Sequence, residues 1–233
     1  MGNSQRFDTV LKNGRVVDPT NQIDGQFDVG IRLGKIATVV ETIPPESADD
    51  IIDVSNQIVM PGHIDTHAHL SSPFQGSVDR AFGHAMLVES GTTTALDLAG
   101  DPTMMSEGMI KRGAGLNVAS LMGLVPHQTV SEDDPRPSVL RDAISEVKKR
   151  GGFGVKMLGG YHPFTPEASA DVVKEANEQL AWVAFHVGTK DSGSDMIGLR
   201  EVPEITGKGR LHVAHINSYT RGMIDQPHEE VQE

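Results

Sequence analysis

The sequence predicts an α/β protein: a partial (β/α)8 TIM barrel of about six βα units, preceded by a small N-terminal portion of a β-sandwich. Before residue 57, short strands are separated by glycine-containing turns. After it, short apolar strands alternate with helical segments of ten or more residues, which is typical of a parallel sheet. Polar residues then recur on these strands at the spacing of one βα unit. We therefore expect residues 1–57 to form the sandwich portion and 58–233 an incomplete barrel.

The N-terminal portion contains short alternating or apolar runs separated by turns, which is typical of hairpins. Asn13-Gly14 is predicted to be one such turn, and Leu33-Gly34-Lys35 another. The strands are expected near residues 10–12, 15–19, 27–31, 36–40 and 50–54. A sheet of so few residues needs further structure to pack against.

The second portion alternates strand and helix six times. The predicted strands are 64–69, 93–98, 118–125, 154–158, 181–187 and 211–216. The predicted helices are 78–89, 103–114, 138–149, 166–179 and a shorter one at 196–201. An open doubly wound sheet and a closed barrel both begin in this way, but neither GxGxxG nor GxxxxGK[ST] occurs, so a nucleotide-binding fold has no support.

Composition limits the classes of partner. The formal net charge of −12 and the lack of a basic cluster argue against nucleic acid and anionic membranes as partners. There is no cysteine, so a metal would have to be bound by histidine and carboxylate. No apolar signal or membrane-spanning stretch is present, which favours the cytoplasm. We expect a small-molecule substrate, and a homo-oligomer remains open.

The segment Pro61-Gly62-His63-Ile64-Asp65-Thr66-His67-Ala68-His69 carries the first chemical signal. His67 and His69 lie two residues apart, so on a strand their side chains point the same way and can bind one metal ion. The apolar residues Val59, Met60 and Ile64 indicate a buried strand. The alternative is that both histidines are ordinary polar residues at a strand end.

The spacing of other polar residues favours a metal site. Lys156, His186 and His215 each lie at the end of a predicted strand, 30 and 29 residues apart, and one unit of a (β/α)8 barrel takes about 30 residues. The C-terminal strand ends of such a barrel form its active-site rim. We therefore predict that His67, His69, Lys156, His186 and His215 converge on that rim.

This set of residues resembles the amidohydrolase superfamily of metal-dependent hydrolases, over nearly the whole chain. The resemblance implies that His67 and His69 bind one divalent metal, such as zinc, and that His186 and His215 bind a second. It also implies that Lys156, carbamylated by CO2, bridges the two ions, which share a hydroxide that attacks an amide carbon. Asp65 is expected to orient the ligand histidines.

Other residues receive secondary assignments. His212 is predicted to point away from the site, to the face opposite His215, as a packed core residue. His162, in the loop after Lys156, is a candidate substrate-binding residue. So is Arg221, whose guanidinium could bind a substrate carboxylate in a bidentate manner, although pairing with the acidic tail is an equal alternative.

The resemblance leaves several substrate classes. No arginine follows His69-Leu70, which disfavours dihydroorotases, and Lys156 disfavours the deaminase branches. Cyclic-amide hydrolases of the hydantoinase kind and N-acyl-amino-acid deacylases remain, and Arg221 favours the deacylase slightly. The alternative from another class is a catalytically silent homologue that keeps the fold as a scaffold.

The chain departs from the family at its C-terminal end. The family uses an aspartate on strand eight as ligand and proton carrier, whereas this sequence ends at Glu233, after strand six. Neither Asp97 nor Asp101 matches that position, so the catalytic residue is unknown. We therefore expect a C-terminally truncated chain that binds metal weakly and hydrolyses little.

Overall fold

The structure is a computed structural model that describes residues 6–70 and 82–219. The chain divides into two compact units, Met1–Gly62 and His63–Glu233. The first contains a mixed β-sheet, with both antiparallel and parallel strand pairs. The second alternates parallel strands with helices. The predicted α/β architecture, a partial barrel after a strand-rich N-terminal portion, is confirmed.

The first unit is a five-stranded sheet. Its strands are β1 (Phe7–Asp18), β2 (Ile23–Arg32), β3 (Lys35–Val40), β4 (Ala48–Asp53) and β5 (Ile58–Val59). They are arranged in the order β3-β2-β1-β4, with β5 also pairing with β1. The long central strand β1 therefore bonds to three others.

The predicted turn at Asn13-Gly14 is wrong, because β1 runs through it as one strand. The register against β2 changes between Leu11 and Gly14, which inserts one extra residue on β1 and makes a β-bulge. Asn13 takes a left-handed φ of 64°, which asparagine tolerates better than most residues. A Cβ on Gly14 would lie 2.8 Å from a Val54 methyl carbon, so the bulge requires glycine there.

A buried carboxylate stabilises this bulge. Asp28 accepts hydrogen bonds from Lys12 Nζ at 2.6 Å, Asn13 N at 3.0 Å and Ile43 N at 2.8 Å. Burial opposes ionisation of Asp28, but these donors outweigh it and hold its pKa below the usual value. Asp28 therefore joins β1, β2 and the segment after β3.

We expect Asp28→Asn to destabilise the protein by about 3 kcal/mol, because it leaves the Lys12 ammonium without its buried partner. The carboxylate's folded pKa is depressed, so its contribution is present above its unfolded pKa, near 3.9, and is lost as pH falls through the folded value. Urea unfolding at pH 7 and pH 3 measures both effects. Asp24→Asn, which breaks the exposed ion pair with Arg15, is the control. Equal midpoints for the two variants would contradict the prediction.

The second unit is a six-stranded parallel sheet with helices between its strands. The strands are β6 (His63–Ala68), β7 (Thr92–Leu98), β8 (Asn117–Leu124), β9 (Gly154–Leu158), β10 (Trp182–His186) and β11 (His212–Val213). The helices are α1 (Phe82–Glu89), α2 (Pro102–Arg112), α3 (Pro137–Lys149), α4 (Pro166–Glu178) and α5 (Met196–Thr206). The sheet order β6 to β11 follows the chain order, as in a barrel that adds one strand at a time.

Proline and capping residues fix where these helices begin. Proline is the first residue of α2, α3 and α4, where its missing N–H is not needed. The side chains of Asp101, Thr165 and Asp195 cap α2, α4 and α5 by accepting backbone N–H groups. Apolar residues of α3, α4 and α5 pack on the outer face of the sheet in the largest core cluster. The helices thus hold the strand ends in register.

Three details differ from the sequence prediction. Helix α5 continues to Thr206 despite Pro203, and β11 has two residues instead of six. Met60 and Ile64 are exposed (65% and 55%) rather than part of a buried strand; Ile64 lies on β6, which is at one edge of the described parallel sheet. The helix predicted for residues 78–89 begins outside the described residues. Of that helix, the structure describes Phe82–Glu89. No helix within the described ranges is long and apolar enough to cross a membrane.

Candidate metal centre

Lys156 lies on the inner face of the parallel sheet. It is in register with Ala184 of β10, which is in register with His212 of β11, and residues in register on parallel strands share a face. Ala184 packs in a small inner cluster with leucines of β7 and β8, separate from the core beneath the helices. The Lys156 side chain is 1% exposed, so an ammonium is buried in this inner face.

His67 and His69 bring two ring nitrogens together at the end of β6. Their Nε2 atoms are 3.2 Å apart, and their ring centroids 5.1 Å. A tetrahedral zinc ion with Zn–N bonds of about 2.0–2.1 Å would separate two ligand nitrogens by about 3.3–3.4 Å. The observed spacing therefore fits two imidazoles that bind one ion.

His215 and His186 form a second pair of rings beside the first. Their ring centroids are 4.6 Å apart, and the ring of His215 is 5.0 Å from that of His67. His186 is the last residue of β10. The structure thus brings together the four predicted histidines: His67 on β6, His69 directly after it, His186 at the end of β10 and His215 two residues after the end of β11.

His212 does not face away from the site, so that prediction is wrong. Its ring lies 6.5 Å from that of His67, and it is half-buried on the inner face. The prediction assumed that the strand continues through His215. Instead, β11 ends at Val213 and His215 adopts a left-handed conformation with φ 33°, so the chain turns and both rings point inward.

Burial and neighbouring positive charge lower the pKa values of His67 and His186, and burial lowers that of Lys156. Burial, followed by the nearby Lys156 and the neighbouring histidines, lowers the pKa of His67 to about 3. Burial, His215, Lys156 and His69 lower the pKa of His186 to about 4. Burial alone lowers the pKa of Lys156 to about 8. Neutral imidazole is the form that binds a metal.

The backbone contributes to ligand orientation. Asp65 accepts a hydrogen bond from the backbone N–H of His67 at 2.9 Å, so it contacts the ligand segment through the main chain. The imidazole of His69 is hydrogen-bonded to the backbone of Leu98, at the end of β7. The fully buried Asp97 accepts from Leu70 N at 3.2 Å, which ties the residue after His69 to the same strand.

The turn after β9 lies over His186. Tyr161 is 73% exposed, and its ring centroid is 5.2 Å from that of His186. A Cβ on Gly160 would lie 2.6 Å from His186 Nε2, so only glycine allows this close approach. His162 follows, half-buried, in a bridge with Leu158.

The sequence prediction missed Tyr161, although its position five residues after Lys156 was visible. The other substrate candidate, Arg221, lies outside the described residues.

The donor set fits a divalent metal in its chemistry, with four imidazoles and a buried amine. Among residues 6–70 and 82–219, no three His, Cys, Asp or Glu side chains form a ready-made metal cage. The fit therefore rests on the Nε2–Nε2 distance, on the ring pairs and on the lowered pKa values of His67, His69 and His186. These are the ligands that zinc accepts when cysteine is absent.

One cavity formed by described residues lies away from His67, His186 and His215. It has a volume of 540 Å³, and Phe153, Trp182 and His212 are among its lining residues. Phe153 precedes β9 and Trp182 begins β10, so the cavity is at the N-terminal ends of these strands. Barrel enzymes place their chemistry at the C-terminal ends, where His67, His186 and His215 lie.

Enzymes with a parallel β/α barrel have their active sites at the C-terminal ends of the strands. The histidines at these strand ends, together with the buried lysine, therefore indicate an enzyme of this class. Residues 58–215 match the model of the amidohydrolase family. Since this is more than half of the chain, the chain belongs to the amidohydrolase family. The family resemblance predicted from the sequence is confirmed.

Curated relatives include dihydroorotases. The chain is 26% identical to a dihydroorotase of Anaeromyxobacter dehalogenans over 89% of this chain and 54% of that protein. It is 31% identical to a dihydroorotase of Elusimicrobium minutum over 63% of this chain and 36% of that protein. The chain thus spans about half the length, or less, of these relatives.

Solved structures show the same fold. An N-acyl-D-glutamate deacylase from Bordetella bronchiseptica, in complex with zinc and a phosphonate inhibitor, aligns with a TM-score of 0.69 and 18% identity, over 89% of this chain and 50% of that one. An L-hydantoinase from Arthrobacter aurescens aligns with a TM-score of 0.63 and 17% identity, over 89% and 52%. At these identities the likeness establishes the fold alone.

Proposed function

We propose that this protein is a metal-dependent hydrolase that cleaves a C–N bond, in an amide or cyclic amide, of a small molecule. The observation that carries the proposal is the convergence of four imidazoles at the barrel rim, with a buried lysine on the inner face of the same sheet. Two Nε2 atoms 3.2 Å apart have the spacing that one tetrahedral metal ion requires. Family membership supports hydrolytic chemistry at this place in the fold.

The five side chains divide into three roles. His67 and His69 would bind one divalent ion, with zinc as the preferred metal, and His186 and His215 a second. Lys156 would bridge the two ions as a carbamate. When bound, the metal pair supplies an activated hydroxide near neutral pH and polarises the substrate carbonyl.

Carbamylation suits the environment of Lys156. The neutral amine attacks the carbon of CO2, forms an N–C bond and releases one proton, which gives an anionic carbamate. Burial favours the neutral amine that must react. The product anion would then be stabilised by two cations instead of being left unpaired in an apolar interior.

Residues at the rim would orient the substrate. Tyr161 presents an exposed ring and hydroxyl beside His186, and the adjacent His162 lies in the same turn. A phenol O–H donates a hydrogen bond, so Tyr161 can hold a substrate carbonyl oxygen against the metal-binding histidines.

For the substrate class, we prefer an N-acyl amino acid. Arg221 follows the sixth strand and can bind the substrate carboxylate in a bidentate manner. The second candidate is a cyclic amide, such as a hydantoin or dihydroorotate, which is favoured by the dihydroorotase relatives. Both contain the carbonyl carbon that the site would attack.

A comparison of substrates tests the proposal. The zinc-loaded protein is assayed with N-acetyl amino acids, 5-substituted hydantoins and dihydroorotate, with release of amine or ring opening followed by chromatography. We expect N-acetyl amino acids to react fastest and Arg221→Ala to raise their KM by about 10–100-fold, through loss of a charged hydrogen bond. Arg210→Ala, at the opposite ends of the strands, is the control.

Two outcomes would overturn these proposals. Faster opening of a cyclic amide would replace the deacylase by the second candidate. If zinc does not bind and no amide reacts, the protein is a silent homologue that keeps the fold. The cytoplasmic location and a homo-oligomeric state stay predictions.

A further inference from the structure

Tyr219 is among the largest fully buried side chains of the described residues, with 1% exposure. It ends the short 3-10 turn that begins after His215. Its ring centroid lies 5.5 Å from that of His215 and 5.9 Å from that of His186. The rings of Tyr219, His186 and His215 therefore all contact one another, and Tyr219 is the buried member of the three.

The tyrosine hydroxyl fixes the backbone next to one of them. Val187 N donates a hydrogen bond to Tyr219 Oη at 2.9 Å. A buried tyrosine hydroxyl needs such a partner. Because Val187 directly follows His186, this bond sets the direction of the chain where β10 ends.

His215 depends on its surroundings to keep its conformation. Its φ of 33° is in a region that residues other than glycine seldom occupy, and such conformations persist only where surrounding contacts hold them. The turn after it is closed by Ser218 N→His215 O at 2.8 Å and Tyr219 N→Ile216 O at 3.2 Å. Tyr219 anchors the far end of this turn to β10.

We propose that Tyr219 is a positioning residue that holds His186 and His215 as a pair, through ring contacts with both imidazoles and one hydrogen bond from the residue after His186. It touches neither substrate nor reacting atoms. The proposal rests on the proposed function in assigning both histidines to one metal ion. Tyr161, the only other tyrosine of the chain, contacts His186 from the exposed side and is the matched control.

The first test needs no metal. The whole chain is labelled with 15N-histidine, and imidazole signals are compared for the parent, Tyr219→Phe and Tyr161→Phe. We expect Tyr219→Phe to shift the signals of both His186 and His215 and to leave the remote His127 unchanged. Tyr161→Phe should leave His215 unchanged. Unaltered His186 and His215 signals in Tyr219→Phe would overturn the proposal.

The second test measures Zn2+ affinity by chelator competition and the visible spectrum of the Co2+ form. We expect Tyr219→Phe to weaken binding about 10–100-fold, as for other residues that support metal ligands, and to change the Co2+ spectrum. Tyr161→Phe should stay within a few-fold of the parent. A lower melting temperature with unchanged affinity and spectrum would show a merely structural role and overturn the proposal.

If Tyr219→Phe does not fold, the parent protein is tested instead, by fluorine labelling of its tyrosines. Both tyrosines are replaced biosynthetically by 3-fluorotyrosine, and Tyr161→Phe assigns the two 19F signals. Zn2+ must then shift the Tyr219 signal with the midpoint of metal binding, and an unmoved signal would refute positioning. If the parent binds no Zn2+, the proposed function fails, whereas the metal-free imidazole signals of a folded Tyr219→Phe still decide the role of Tyr219.

Discussion

Replacing Lys156 with alanine is expected to reduce the bound metal from two ions to one and to weaken the remaining site. In the proposed centre the Lys156 carbamate would be the one protein side chain that binds both ions, so its loss removes a negative charge from between two cations. Residues that merely support ligands contribute about 10–100-fold to metal affinity. A bridging ligand should contribute at least about 10²-fold to the weaker site.

Elemental analysis after exhaustive dialysis against Zn2+ measures this change. Lys174→Ala, on the exposed face of α4, is the matched control and should keep the parental stoichiometry. Bicarbonate should speed reconstitution of the parent and have no effect on Lys156→Ala, because only the parent has an amine to carbamylate there. Equal metal content in Lys156→Ala and the parent would contradict the bridge and favour a centre that does not use this lysine.

The features that repeat along the chain could be predicted from the sequence. Each parallel strand is followed by a helix, so the strand ends fall about 30 residues apart and lie on one rim. That regularity predicted that Lys156 and His186 lie at strand ends on one rim. The register Lys156–Ala184–His212 then shows which face each strand presents.

The features that depend on a single residue's backbone could not be predicted. Strand alternation placed His212 and His215 on opposite faces, whereas the left-handed φ of His215 turns the chain and brings both inward. Asn13-Gly14 has the composition of a hairpin turn but forms a bulge, because Asp28 accepts the Asn13 N–H. Tyr219 gave no signal, since its role depends on contacts with β10.

His215→Asn is expected to remove the ion bound by His186 and His215, whereas His212→Asn should keep both ions. The two histidines are three residues apart on the inner face, but their rings differ in position. His215 lies 4.6 Å from His186 and 5.0 Å from His67. His212 is 6.5 Å from His67, and its Nδ1 accepts a long hydrogen bond of 3.4 Å from Trp182 Nε1.

That hydrogen bond provides an internal control, because Trp182 is the single tryptophan of the chain. Its fluorescence reports that His212 has been changed, independently of metal content. His212→Asn should change Trp182 fluorescence and leave the Zn2+ stoichiometry at the parental value. His215→Asn should lower the stoichiometry by one ion, and Zn2+ should still bind where the Nε2 atoms of His67 and His69 are 3.2 Å apart. If instead His212→Asn lost the ion and His215→Asn kept it, the ligand assignment on the last strand would be reversed. The left-handed turn at His215 would then serve to clear space for His212.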